Sequence, residues 1–456
     1  MIKLFLFCVS LPIKYVRLTE DACPKRPIFN EKLTQATPSN IPFTLVSISL
    51  ADVVGAKTPV EVKYDSYRYP DSNIERYIKH GYYVANIKGH VRSFAFGRLD
   101  FTNRATFFDG IIYENGKLHF VEQIQEWQSF SAKLAGKSSL SDKWGMRKWA
   151  EERKYLYYTE DDIEPLSHIN DSIEVPFAPG KSLVEQWRQK VNARAVMANQ
   201  LENTYGGYFA AIKKVCSVNV LLDSYFMENV VKYNIKQAIH EAIILYGSLD
   251  FLYRILDFAG VSQPNHFGFQ IAKITIIMRS TDYAPVQSMY PLAHKYIDLI
   301  SSTRIGENRC LGVSFTYQNL EGVVGQAFQG TELGGIFMDY KDVGRFKGNR
   351  NVAYVNFMIN ASSQFKARGS ILSTLAHEVG HAFGAIHEED TRCTRSNRKL
   401  MAAYLKEIEG FQHFKFSQCN INLMKHHIAR RKDKFLKCPN ELRVYDDLGY
   451  QGQIDY

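Results

Sequence analysis

A chain of 456 residues in which 45 % are hydrophobic has enough apolar side chain to bury substantial cores, which excludes disorder by composition and leaves room for two or three domains. Its formal net charge of +9 comes from scattered Lys and Arg, so no nucleic-acid partner is expected. The exception is KHHIARRKDKFLK at 425–437, which reads as the solvated face of a last helix, with binding to anionic glycans or lipid headgroups as the sharper alternative. No apolar run reaches the roughly 18 residues that a membrane-spanning helix needs, so no transmembrane segment is expected in this chain.

The amino-terminal MIKLFLFCVSLPIKYV has one Lys before a short apolar stretch from Leu4 to Ile13, the size of a secretory h-region, without a clear small-residue cleavage site. Residues 1–22 therefore read as a possible signal peptide, the alternative being a gene model that begins inside a strand. The seven cysteines are Cys8, Cys23, Cys216, Cys310, Cys393, Cys419 and Cys438, and none forms a CxxC pair, which excludes a structural zinc cluster or a thioredoxin-like motif. The last five spread through one half of the chain in the manner of disulfides, and the sequons at Asn170 (NDS) and Asn360 (NAS) are glycosylation candidates. An oxidising location is expected: secreted or extracellular, or the plasma membrane if the chain is a fragment of a membrane-anchored protein.

From about 40 to 165 the pattern is short and alternating: FTLVSISL, EVKYDSY, YYVANIKGHV, FAFGRLDF and ATFFDGIIYENGKLHFVE. The step ENGK places Asn115 and Gly116 between aromatic and β-branched runs, the signal of a two-residue hairpin turn whose central positions need positive φ. This predicts a β-rich module over 25–185, followed by a polar, weakly helical linker over 186–209. Beyond it the period changes. CSVNVLLDSYF reads as a buried strand, and NVVKYNIKQAIHEAIILYGSLDFLYRIL as one long amphipathic helix. FQIAKITIIM and CLGVSFTY are further strands, and EGVVGQAFQG has the glycine punctuation of an edge or a close backbone approach. Strands alternating with helices predict a layered α/β domain over 210–445, with a short tail at 446–456.

Within that second module lies TLAHEVGHAFGAIHEED. Ile371, Leu372, Leu375, Ala376, Val379, Ala382 and Phe383 supply the apolar positions of a helix, with Ser370 as its expected N-cap. On it His377 and His381 are one turn apart and share a side, so both imidazoles can reach one zinc at about 2.0 to 2.1 Å. Gly384 can take positive φ, end the helix and bring His387 back to the same point. Three neutral imidazoles leave one open position on a tetrahedral zinc, as catalysis requires. Glu378 is then placed to take a proton from the attacking water and pass it to the departing amine. Chance placement of His, Glu, His, Gly and His at these positions is rare under ordinary residue usage, which disfavours a helix that merely carries surface histidines. His240, His294, His413, His426 and His427 lack such spacing and read as ordinary surface or satisfied residues.

The pattern HExxHxxGxxH is that of the metzincins, which also carry a methionine turn beneath the metal; Met401 in NRKLMAAYL is the candidate. Within metzincins the chain resembles the ADAM (adamalysin/reprolysin-type) proteases, in the sheddase branch that includes the kuzbanian type and the tumour-necrosis-factor-α converting enzyme. CLGVSFTYQNLEGVVGQAFQG with the following GGI resembles the strand and substrate-edge segment of that branch, and FSQCN its stretch after the methionine turn. FFDGIIYENGKLHFVE and YYTEDDI resemble its prodomain. The resemblance implies an α/β (α+β) metzincin catalytic domain, with a twisted mixed sheet and a long active-site helix, behind a β-rich prodomain. It implies a zymogen with one catalytic zinc that cuts the ectodomains of membrane proteins, Notch-type substrates among them. It further implies the disulfides Cys216–Cys310 and Cys393–Cys419.

The departures are equally specific. The family has a cysteine after GGI where this chain has Phe337, so Cys438 loses its expected partner. Glu388 stands where Asp is usual. No cysteine lies between Cys23 and Cys216 to serve as a prodomain thiol, and RQKVNAR supplies no furin-type site. The expectation is an active zinc endopeptidase; the alternatives are a latent or non-catalytic binding protein with an uncut prodomain, and an enzyme of another metzincin branch.

Overall fold

Alternating apolar and polar residues become strands in the N-terminal half because a period of two buries one face and leaves the other wet. The computed structural model describes parts of residues 45–123, then 155–163, 172–173, 212–254, 266–279, 292–338, parts of 341–358, 367–388, 399–403 and 413–437. The signal-peptide, linker and tail expectations, and Asn170, Asn360, Cys393 and Cys438, lie outside the described residues.

The N-terminal strands are β1 (Leu45–Leu50), β2 (Pro59–Tyr64), β3 (Tyr67–Arg68), β4 (Ser72–Asn73), β5 (Tyr82–Ile87), β6 (His90–Thr102), β7 (Ala105–Glu114), β8 (Lys117–Gln123), β9 (Tyr155–Thr159) and β10 (Ser172–Ile173). Six of them pair antiparallel in the order β1-β5-β6-β7-β8-β9. The predicted hairpin joins β7 to β8: Glu114 pairs with Lys117 across Asn115 (φ 50°) and Gly116 (φ 81°).

The second half follows as β11 (Ile212–Leu222), α1 (Ser224–Asn229), α2 (Ile235–Arg254), β12 (His266–Ile277), α3 (Ala293–Ser302), β13 (Leu311–Thr316), β14 (Gly325–Phe328), β15 (Lys341–Val343), β16 (Phe346–Gly348), β17 (Val352–Asn356), α4 (Arg368–Ala382), α5 (Gln418–Arg430) and β18 (Leu436–Lys437). Its sheet is mixed, in the order β10-β14-β17-β13-β11-β12-β2-β3, with β14 antiparallel to β17. Strands from the first half thus stand at both of its edges. The EVKYDSY run, expected in the β-rich module, pairs in parallel with β12 from Val60↔Ile274 to Lys63↔Ile277, and its Val60 and Val62 are buried.

Local caps shift several expected boundaries. CSVNVLLDSYF is strand only to Leu222, because the Asp223 carboxylate accepts the Phe226 N–H at 2.8 Å and starts α1. The long helix is interrupted: Lys232 and Tyr233 take φ of 49° and 60°, and α2 begins only after Asn234, whose side chain accepts the Gln237 N–H at 3.1 Å. The last helix starts earlier than the basic run, at Gln418, and ends at Arg430; Lys432–Lys434 form a 3-10 turn and Leu436 and Lys437 pair with β11. Arg430, Lys432 and Lys434 are exposed as expected of a solvated face, whereas His427 is buried.

One hydrophobic cluster runs from Phe94, Phe96, Tyr113 and Phe120 of the six-stranded sheet into α2 and α4. Phe94 stacks on Phe251 with ring centroids 4.1 Å apart, and Phe96 lies so close to Gly247 that a Cβ there would meet its ring at 2.0 Å. A buried polar network crosses the same contact. Arg368, the first residue of α4, bonds Asp109 of β7 at 2.5 Å and Glu241 of α2 at 2.9 Å. His240 Nε2–H donates to Asp109 at 2.8 Å, since a carboxylate only accepts, and its Nδ1 then accepts from Tyr82 at 2.9 Å. Burial alone would raise the Asp109 pKa; Arg368, His240 and Arg98 together hold it well below the usual carboxylate range.

His413 marks a second part of this contact, its ring bonded to the Ile163 backbone. Burial pushes its pKa down from 6.5 to about 4. The folded chain therefore keeps His413 neutral where the unfolded chain binds a proton, so stability is full above about pH 6.5 and falls as pH drops towards 4. Urea midpoints measured across that window should fall less steeply for His413→Gln than for the parent; equal slopes would remove His413 as the cause.

Candidate metal centre

α4 is buried along its whole length, which fits the unbroken apolar run that flanks its histidines. It begins at Arg368, not at the expected N-cap Ser370, which lies inside the first turn. Ala367 at the N-cap offers no side-chain bond; instead Glu122 of β8 accepts the Arg368 N–H at 3.3 Å and the Tyr158 hydroxyl of β9 accepts the Gly369 N–H at 2.8 Å. The first two open amides of that turn are thus satisfied by the six-stranded sheet.

The helix ends at Ala382. Gly384 has φ 98°, with the Gly384 and Ala385 N–H groups donating to His381 and Gly380 carbonyls at 2.9 Å each. A Cβ at 384 would also press on His427 at 3.2 Å. The turn returns His387 to the helix: His377 Nε2 and His381 Nε2 are 3.0 Å apart, and His381 Nε2 and His387 Nε2 3.1 Å. Among the described residues, these three form the group that could hold a metal.

The outer ring nitrogens settle what the inner ones offer. His377 Nδ1 bonds the Leu400 carbonyl at 2.6 Å and His381 Nδ1 the Ala385 carbonyl at 3.0 Å. A carbonyl only accepts, so both Nδ1 atoms carry the proton and both Nε2 atoms turn a lone pair to the same point. Two acceptors facing each other at this range repel unless a cation lies between them. Tetrahedral Zn–N bonds of about 2.0 Å put ligand nitrogens about 3.3 Å apart, so the donor set fits zinc.

Met401 is fully buried beneath the helix, its Sδ 2.8 Å from where a Cβ on Gly380 would stand. Its carbonyl accepts the Glu388 N–H at 2.9 Å, and the adjacent Leu400 carries the carbonyl bonded to His377. Glu378 is buried beside β14: a Cβ on Gly325 would come within 2.6 Å of its Oε1, so glycine there makes room for the carboxylate. The outer edge of β14 pairs in parallel with β10, Ser172↔Ala327 and Ile173↔Phe328.

Cys216 on β11 and Cys310, just before the neighbouring β13, are disulfide-bonded with Cα atoms 5.1 Å apart. Cys419 is also disulfide-bonded. Phe337, where the resemblance would have a cysteine, packs its ring edge-on against Phe435 at 4.7 Å, and its carbonyl accepts from Lys434 at 3.1 Å. Sequence reading missed Arg368, Glu122, Tyr158 and Asn420, and gave Gly325 only as part of a glycine-punctuated run suited to a close backbone approach. Their roles come from contacts across the fold, for which no spacing in the chain is a signal.

Residues 213–414, which span the histidine triad, match the reprolysin model described as metallo-peptidase family M12. The chain is similar to human disintegrin and metalloproteinase domain-containing protein 10, 25 % identical over 245 residues that cover 49 % of this chain and 31 % of that protein. The protein of the same name from Xenopus laevis is 27 % identical over 194 residues, 38 % of this chain and 25 % of its own length. The chain thus spans less than a third of the first curated relatives it matches, 31 % for the human, bovine, mouse and rat proteins. Family match, relatives and converging histidines together support an ADAM/reprolysin-type metalloprotease domain of family M12 in this chain.

Proposed function

We propose that this chain is a zinc metalloendopeptidase, with His377, His381 and His387 as ligands and Glu378 as general base. The observation that carries the reading is the convergence of the His377 and His381 Nε2 atoms on α4 with that of His387 beyond its end, beside the buried Glu378. Zinc held there supplies Lewis acidity to the scissile carbonyl and to water. Glu378 accepts the proton of the attacking water and returns it to the amine as the peptide bond breaks, and burial keeps bulk water from competing for that transfer. The Leu400 and Ala385 carbonyls hold two imidazoles in the ligating tautomer.

The finer reading is an ectodomain sheddase of the ADAM type, acting on membrane-protein substrates that include the Notch type, in a secreted or plasma-membrane setting. The resemblance of the segments around the site and the printed names of the relatives support it. No helix among the described residues is long and apolar enough to cross a membrane. The test is zinc content and turnover of a quenched stalk peptide by the full chain, before and after chelation. One zinc per chain, loss of turnover with chelator and recovery on adding zinc are expected. Cleavage indifferent to the chelator would overturn the assignment.

A second reading, latency held by the N-terminal region, is favoured by β10. An extended substrate gains main-chain bonds by adding to a free sheet edge, and β10 lies along that edge of β14, the strand beside Glu378. Ile173→Pro removes one backbone donor from β10 and forbids a regular ladder. Turnover by the full chain should then rise several-fold, with no response to mercurial agents, because no thiol lies between Cys23 and Cys216. Unchanged turnover would count against restraint by this strand.

A further inference from the structure

His387 is held differently from the other two candidate ligands. His377 and His381 are placed by the backbone of α4, whereas His387 lies past Gly384 in a stretch that is neither helix nor strand. Both of its chain neighbours are tied to one side chain from the first turn of α5. Asn420 Oδ1 accepts the Ile386 N–H at 2.8 Å, and Asn420 Nδ2 donates to Glu388 Oε1 at 3.0 Å. Asn420 and Glu388 are completely buried. The clamp has firm footing: Ser417 caps α5 by accepting the Asn420 N–H at 3.2 Å, and the adjoining Cys419 is disulfide-bonded.

Resting on the reading of the triad as a metal site, we propose that Asn420 is the positioning residue for the third ligand, pinning residues 386 and 388 so that His387 meets the metal without an ordering cost. A primary amide suits this place because one planar group both accepts and donates. Aspartate at 420 would set a second carboxylate against Glu388, and alanine would leave both the Ile386 amide and the Glu388 carboxylate to find other partners in a dry site. Glutamate at 388, longer by a methylene than the aspartate implied by the family resemblance, reaches across to Asn420. Loss of an outer-sphere group that orients a metal ligand commonly weakens metal binding 10- to 100-fold.

The test uses the full chain stripped of metal, with zinc affinity read by competition against a chelator and coordination read from the visible absorption of the Co(II)-loaded protein. Asn420→Ala should bind zinc about 10- to 100-fold more weakly and give a changed Co(II) band, with Asn420→Asp at least as weak. Glu388→Gln keeps an oxygen to accept from Asn420 and should stay within about threefold of the parent. Ile421→Ala, a buried neighbour on α5, should lower the melting temperature while leaving zinc affinity alone. A purely structural role for Asn420 predicts a lower melting temperature with parental affinity and parental Co(II) absorption, and that result would overturn the proposal. Should Asn420→Ala fail to fold, Glu388→Ala severs one arm only; about tenfold weaker zinc binding supports the clamp and parental affinity overturns it. A parent chain that binds no zinc would instead sink the metal-site reading itself.

Discussion

Glu378→Gln is expected to keep the fold and the metal and to lower peptide cleavage by about 10²- to 10⁴-fold, the usual range for removing a general base. The amide is nearly isosteric, so the space left for the side chain by Gly325 is filled as before. It cannot accept a proton from water, and Glu378 itself is fully buried, so no bulk base stands in for it. Zinc content by atomic absorption and turnover of a quenched peptide, measured on the same preparation, separate the two roles. Parental turnover by the variant would refute Glu378 as base, while loss of zinc would show that the carboxylate supports the ligand set instead.

The second large effect concerns stability. Asp109→Ala removes the buried carboxylate bonded at once to Arg368 and His240, and is expected to destabilise the full chain by about 3 to 5 kcal/mol, the range seen when one partner of a buried ion pair is lost. Arg368 keeps Glu241 at 2.9 Å, which argues for the lower end. Replacing both partners with apolar residues, Asp109→Leu with Arg368→Met, should recover only part of the loss, because Glu241 and the buried Glu122 then lose the Arg368 guanidinium. Urea unfolding of parent, single and double variants measures this. A single variant as stable as the parent would show that the network adds nothing to the docking of the six-stranded sheet on α4.

The second prediction depends on residues 259 apart in the chain, the first on neighbours within a few turns, and that difference separates what was legible from what was not. The histidine spacing on a helix, the Gly384 turn, the Asn115–Gly116 hairpin and the period of most strands are decided by short-range sterics and by the 3.6- and 2-residue repeats, so the sequence alone carries them. Element boundaries already needed more: Asp223 and Asn234 each start a helix by capping, inside runs whose apolar period continues without a break.

Partners across the fold were not legible. Nothing in EVKYDSY says that Val60 and Val62 join β12 rather than the hairpin strands that follow, because a half-buried edge strand has the same period in either sheet. Nor does RGSILS announce that its first amides are capped by Glu122 and Tyr158, or CNI that its asparagine grips the loop of the third histidine. By itself the sequence determined a helix and turn able to bring three imidazoles and a carboxylate together. Only the tertiary structure decided what caps that helix, what holds the residues on either side of His387 and which strand lies along the β14 edge, since each is a contact between distant segments whose pairing is chosen by the shared burial of the whole chain.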